Sequence, residues 1–141
     1  MNVGSIFRTM DGLAIERLIL TGISARPPHK EINKTAIGAT DSVDWDYHES
    51  VETITRELKE QEYLVFGIEQ TDASIPLDAF VFPKDQKIAI IFGNEVKGVS
   101  KTVLPFLDQA IEITQYGTKH SFNVAVCAGM VLWEISRQLR S

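Results

Sequence analysis

The chain has 141 residues, of which 44% are hydrophobic and 23% charged; this composition fits one globular domain and excludes disordered and collagen-like chains. Its 14 Lys and Arg stand against 19 Asp and Glu, and the net charge of −5 argues against broad nonspecific nucleic-acid binding but not against a local basic patch. No apolar run approaches the ~20 residues that span a bilayer, and the N-terminus lacks the basic and apolar regions of a signal peptide, so we expect a cytoplasmic protein without membrane contact.

Apolar runs alternate between strand and helix patterns along the chain. Several of the predicted strands are too continuously apolar for a sheet with one wet face. The alternation therefore predicts an α/β fold with a mostly parallel sheet flanked by helices. The predicted strands are 17–21, 43–47, 63–68, 87–92 and 110–113, and the predicted helices are 4–13, 50–61, a short one near 99–107, and 123–139.

One long loop, residues 22–33, carries the basic side chains Arg26, His29 and Lys30 beside two prolines. The prolines stiffen the loop, and its basic residues suit a phosphate backbone. A solvated surface loop explains the same composition equally well. Both interpretations stay open from the residues alone.

Two further loops follow predicted strands, after Phe92 and after Ile113, and both are rich in small and hydrogen-bonding residues. An ordinary turn between a strand and a helix needs fewer such residues, so these loops indicate a binding site. Ligands of open α/β sheets bind beyond the carboxyl ends of the strands. We therefore expect the two loops to converge on one site.

Common catalytic patterns are missing from the sequence. It has no Walker loop, nucleophile elbow, paired cysteines, His-Glu-x-x-His or Rossmann glycine fingerprint. The histidines His29, His48 and His120 lack metal-ligand spacing, so we expect no metal. The single cysteine, Cys127, lies in an apolar helical run and is expected to be a small core residue rather than a nucleophile.

Three segments, in this order, resemble the first, second and third motifs of the SpoU/TrmH branch of the SPOUT RNA methyltransferases: 2–9, 92–99 and 111–134. The resemblance implies an α/β fold whose C-terminal segment forms a deep trefoil knot. It also implies that S-adenosylmethionine (AdoMet) binds in the knotted loops and that its methyl group passes to a ribose 2′-hydroxyl of tRNA or rRNA. Such enzymes act as homodimers whose site is completed across the subunit interface.

The resemblance also assigns roles to residues of the second and third motifs. Gly93, Ile113 and Phe122 match positions that hold the cofactor through backbone groups and apolar contact with the adenine. Glu95 matches a glutamate that orients the first motif or the ribose, although a buried ion pair is an alternative role.

Ser121 and Asn123 match a Ser-x-Asn that fixes the knot loop and the final helix, and Asn123 is equally suited to cap that helix. In the first motif, Arg8 is the residue expected to carry chemistry. Since a guanidinium stays protonated, we expect Arg8 to grip a phosphate or ribose and stabilise the developing alkoxide, with Asn2 in support. A surface arginine without a role is the alternative.

We interpret residues 1–141 as a single SPOUT methyltransferase domain that lacks the family's usual first strand before residue 2, which would leave an apolar sheet edge exposed or covered by another chain. The third motif also departs from the family at Phe122, at Ala125 and at 114–115. An alternative function is therefore a catalytically impaired, knotted RNA-binding or assembly protein, and a third is a flavodoxin-like binding module. The sequence does not identify the RNA or the nucleotide.

Overall fold

The computed structural model describes residues 2–22, 32, 36–93, 98–117 and 123–140. None of the helices in these ranges is long and apolar enough to cross a membrane. The helices are α1 (Asn2–Leu13), α2 (Ala39–Ser42), α3 (Val51–Glu60) and α4 (Val124–Leu139), with 3-10 turns at Leu77–Ala79 and Leu104–Phe106. The strands are β1 (Arg17–Thr21), β2 (Asp44–His48), β3 (Leu64–Ile68), β4 (Ile75–Pro76), β5 (Ile88–Phe92) and β6 (Gln109–Glu112).

The described strands form two sheets, and every strand pair in them is parallel. One sheet pairs β1 with β2, and the other has the order β4-β6-β3-β5. The predicted α/β class with parallel pairing is confirmed.

The helices begin and pack as their sequences direct. Ser50 caps α3 by accepting the Thr53 N–H at 3.2 Å, and this helix buries Ile54 and Leu58. Helix α1 buries Phe7 and Met10 in a cluster that also contains Ala128 and Leu132 of α4. The two helices that carry the first and third motifs therefore pack against each other.

The buried side chains form two clusters, one beneath α1 and one on the four-stranded sheet. Phe92, at the end of β5, packs against both clusters, while Leu18 and Leu20 of β1 belong to the first. Strands β1 and β5 thus border the same apolar cluster, yet among the described residues neither strand pairs with the other.

The free edges of β1 and β5 have the composition of central strands. All five residues of β5 are only half-buried, although four of them are Ile or Phe. Strands β2 and β4, at the opposite edges, have the features of edge strands. Strand β2 carries two aspartates, and β4 is two residues long and ends in Pro76. Strands β1 and β5 are thus as apolar as strands with neighbours on both sides, and the expectation that a first strand is missing before residue 2 stays a prediction.

Two sequence predictions need correction. The helix expected near 99–107 is only a 3-10 turn at Leu104–Phe106, because Pro105 lacks the N–H that a longer helix needs. Cys127, expected in the core, is half-buried on α4.

Candidate functional site

Three strand ends lie side by side at the carboxyl edge of the four-stranded sheet. Strand β3 is central, and its last residue, Ile68, is in register with Phe92 of β5 and with Ile111 of β6. The segments after β5 and β6 therefore leave the sheet on either side of the chain that leaves β3. This edge is where open α/β sheets bind ligands.

The segment after β5 returns on itself at Gly93. A Cβ added at Gly93 would lie 2.5 Å from the Gly98 carbonyl oxygen, and still closer to the Gly98 carbonyl carbon and the Val99 nitrogen. Only glycine allows this approach of backbone to backbone. We call Gly93, Gly98 and Val99 the neck of the segment 93–99.

Glu69, the first residue after β3, is hydrogen-bonded to the neck. Its Oε2 accepts the Val99 N–H at 2.8 Å, and its own N–H donates to the Ile111 carbonyl oxygen at 3.0 Å. Gly98, at φ +70°, leaves room for this carboxylate, since a Cβ there would lie 2.5 Å from Oε2. Glu69 therefore connects the ends of β3, β5 and β6.

Glu69 was not among the site residues predicted from the sequence. A signal was available, because a carboxylate directly after a buried strand meets the same strand-end rule that selected the loops after Phe92 and Ile113.

Ile113 follows β6 and packs, partly buried, against the cluster on the four-stranded sheet. Beyond it the chain turns outward, and Tyr116 is 93% exposed. The edge of the sheet that carries the neck therefore also carries the apolar side chain of Ile113, next to a solvent-exposed segment.

Asn123 caps α4, since its Oδ1 accepts the Val126 N–H at 2.9 Å. Of the two roles considered for Asn123, the structure describes the capping contact. The cap fixes where α4 begins, and so it anchors one end of the third motif.

Arg8 lies on the exposed side of α1, whereas its neighbours Phe7 and Met10 are buried. No hydrogen bond or ion pair between described residues joins Arg8 to Gly93, Ile113 or Asn123. Arg8 is therefore exposed to solvent on α1.

The other predicted site residues lie outside the described residues. These residues are Glu95, Ser121, Phe122, Arg26, His29 and Lys30. Asn2 is the first residue of α1, but its side chain is not described either.

Neither an activated cysteine thiol nor a metal-binding group is found among the described residues. Burial raises the pKa of the Cys127 thiol, which disfavours a reactive thiolate. Within residues 2–22, 32, 36–93, 98–117 and 123–140, no three His, Cys, Asp or Glu side chains are grouped to hold a metal ion.

A sequence model described as the SpoU rRNA Methylase family matches residues 1–133 of the chain. The chain belongs to this family. The predicted family is therefore confirmed, and the three motifs that carried the resemblance lie almost entirely within the matched range.

Two relatives show how much of a SpoU protein the chain represents. It is 31% identical over 137 residues to the 23S rRNA (guanosine-2′-O-)-methyltransferase RlmB of Neisseria meningitidis serogroup B, which covers 97% of this chain and 54% of the relative. It is 31% identical over 134 residues to the tRNA (guanosine(18)-2′-O)-methyltransferase of Saccharomyces cerevisiae, covering 93% of this chain and 9% of that protein. The chain thus spans about half of the first relative and a small part of the second.

The fold agrees with solved SpoU structures. The crystal structure of an AdoMet-bound rRNA methyltransferase from Sinorhizobium meliloti aligns with a TM-score of 0.89 at 24% identity, over 99% of this chain and 52% of that one. At this identity the alignment shows that the two chains share a fold.

Proposed function

We propose that this chain carries the catalytic domain of an AdoMet-dependent methyltransferase that modifies a ribose 2′-hydroxyl of tRNA or rRNA. The observation that carries the proposal is the neck, a backbone closure that requires Gly93 and lies at the ligand-binding edge of the sheet. Family membership and the names of the two relatives, both RNA 2′-O-methyltransferases, support the same reaction.

The described part of the site fits AdoMet. Gly93 and Ile113 follow the two strands that flank β3, so backbone groups and one apolar side chain are available at a common edge. Phe122 is proposed to complete the apolar contact with the adenine. We further propose that the segments after β5 and β6 belong to a trefoil knot, as in the family resemblance.

AdoMet supplies an electrophilic methyl group, and the residues of the chain align and activate the attacking oxygen. Gly93 and Ile113 would hold AdoMet so that the ribose oxygen lies in line with its methyl group. The oxygen would take the methyl group, the bonding electron pair would stay on sulfur, and the hydroxyl proton would pass to solvent. Arg8, which is exposed and carries a permanent positive charge, is proposed to bind the phosphate or ribose and stabilise the charge that develops on the oxygen.

The remaining motif residues have supporting roles in this proposal. Asn2 and Glu95 orient Arg8 or the ribose, while Ser121 and Asn123 fix the third motif. The cap that Asn123 provides for α4 is consistent with such a role. Arg26, His29 and Lys30 are proposed to contact the RNA backbone.

We also propose that the chain acts as a homodimer through the outer face of α4. Val126 and Trp133 are seven residues apart on this helix, and 48% and 61% of their surfaces are exposed. Residues at this spacing share a helix face, and a large exposed tryptophan is typical of an interface centre. We call Val126 and Trp133 the α4 patch.

The reaction is tested by transfer of a labelled methyl group from AdoMet to tRNA and rRNA. In Arg8→Ala we expect transfer to fall by about a hundredfold to a thousandfold, because the developing charge loses its partner. The Kd for AdoMet, measured by calorimetry, should change by less than about twofold, since Arg8 is proposed to contact the RNA substrate.

Arg56→Ala is the matched control, because Arg56 is also an exposed helical arginine, and its ion pair among the described residues is with Glu52, at 3.6 Å. It should transfer methyl groups at the parent rate. Equal turnover of Arg8→Ala and parent would remove Arg8 from the mechanism. A folded parent that binds no AdoMet would instead support the assembly-protein alternative.

A further inference from the structure

Glu69 has a contact that the motif residues do not explain. Its carboxylate oxygen accepts the N–H of Val99, thirty residues further along the chain, at 2.8 Å. Its backbone N–H is bonded to Ile111 of β6 at 3.0 Å, which fixes the origin of the side chain at the sheet edge. One residue thus attaches the end of the segment 93–99 to two other strands.

The surroundings of Glu69 are built around this contact. Gly98 adopts φ +70° and has no side chain, and a Cβ at that position would lie 2.5 Å from Oε2 of Glu69. The next residue, Val99, is 4% exposed, so Glu69 accepts a hydrogen bond from an N–H in a largely buried part of the chain. A charged acceptor makes a stronger bond than a neutral one, and a buried N–H without a partner is costly.

The bond to Glu69 differs from the contact within the neck. Gly93 continues β5 and packs closely on the Gly98–Val99 peptide, which brings the two ends of the segment 93–99 together. The hydrogen bond from Val99 to Glu69 joins the neck to the residue that follows β3. Loss of the bond would remove this side-chain attachment of the neck to the ends of β3 and β6.

We propose that Glu69 is a positioning residue that holds the neck against the ends of β3 and β6 and so preorganises the AdoMet site. Glu69 acts through Val99 and contacts neither AdoMet nor RNA. This inference rests on the proposed function for its effect on AdoMet, but the contact itself can be tested without any ligand.

The first measurement is amide hydrogen exchange at Val99, followed by NMR in the protein without ligand. We expect Val99 in Glu69→Ala to exchange about tenfold to a hundredfold faster than in the parent, since it loses a charge-assisted acceptor. Glu69→Gln keeps an acceptor oxygen at the same place and should restore most of the protection. Gln70→Ala, a change at the exposed neighbouring residue, should exchange as the parent does.

The second measurement is the Kd for AdoMet of the same variants. Glu69→Ala should bind about tenfold or more weakly, Glu69→Gln should lie close to the parent, and the maximal rate at saturating AdoMet should be nearly retained. Thermal unfolding by circular dichroism should show that all variants are folded at the assay temperature.

The outcomes separate this proposal from the proposed function. Unchanged Val99 exchange in Glu69→Ala overturns the positioning role, and so does Glu69→Gln that behaves like Glu69→Ala in both measurements. Failure of the parent to bind AdoMet defeats the proposed function, while the exchange data still decide whether Glu69 holds the neck.

Discussion

Glycine at position 93 is set by backbone contact rather than by a turn. The Gly98–Val99 peptide occupies the space that any side chain at position 93 would need. Close packing of backbone on backbone leaves no flexible group that could move aside. Substitution here therefore has to displace the neck.

We expect Gly93→Ala to weaken AdoMet binding by about a hundredfold or more, because the added methyl group forces the neck away from the strand ends. The Kd measured by calorimetry tests this. Gly12→Ala is the matched control, since a Cβ at Gly12 in α1 meets nothing within 4 Å. The control should keep the parent Kd, and its free energy of unfolding should stay within about 1 kcal/mol of the parent value. Parent-like affinity of Gly93→Ala would show that AdoMet does not bind at the neck.

Asp108 joins three elements on the side of the sheet where the strands begin. Its Oδ2 accepts from Lys59 Nζ of α3 and from the Val65 N–H of β3, both at 2.7 Å. Burial raises the pKa of Asp108, but the hydrogen bonds from Lys59 and Val65 outweigh it and leave the pKa below its usual value. The carboxylate is therefore favoured in the folded protein.

Asp108→Asn should lower the free energy of unfolding by about 1 kcal/mol near neutral pH, a value reduced by the partial exposure of the pair. Because the folded pKa is lowered, the stabilisation is present above the unfolded pKa and is lost as the pH falls through the folded one. Urea unfolding from pH 7 downward should thus show the gap between parent and variant closing in acid. The exposed Asp72→Asn serves as a control with no such gap, and a gap independent of pH would contradict the assigned role of the carboxylate.

The strands were predictable because burial leaves a local signal. The continuous apolar runs at 64–68 and 88–92 are such signals, and the structure places strands there. The two-residue strand β4 and the four-residue helix α2 were not predicted, because segments this short do not show a strand or helix periodicity. The 3-10 turn at Leu104–Phe106 shows one proline overriding an apolar pattern.

Site residues could be predicted only where local motifs mark them, and their roles stay predictions. Gly93, Ile113 and Asn123 were assigned because they match motifs of the family, whereas the loops after Phe92 and Ile113 were selected because they follow apolar strands. The contact between Glu69 and Val99 spans thirty residues and depends on which strands become neighbours in the sheet. Strand order is a property of the tertiary structure, so no local pattern indicates this contact.

Considered as a whole, the molecule exposes apolar side chains in different settings. Val81, which is 80% exposed, follows a 3-10 turn and lies on no helix. Trp133 and Val126 instead share the outer face of the helix whose inner face packs on α1. Scattered exposed residues are ordinary, whereas a tryptophan beside a second apolar residue on one face indicates a contact surface.

Trp133→Glu should disrupt the proposed homodimer, because it would bury a carboxylate at the centre of the interface without a partner. We expect the dimer dissociation constant, from sedimentation over a range of concentrations, to rise at least about thirtyfold. The variant should stay folded, and its circular dichroism should match that of the parent, because Trp133 is 61% exposed and lies outside both clusters. Val81→Glu, the matched control, adds the same charge at an exposed apolar residue that is not part of the α4 patch and should leave the dimer intact. Methyl transfer should fall with the dimer fraction, since the proposed site is completed across the interface. A dimer that survives Trp133→Glu would place the interface on another surface.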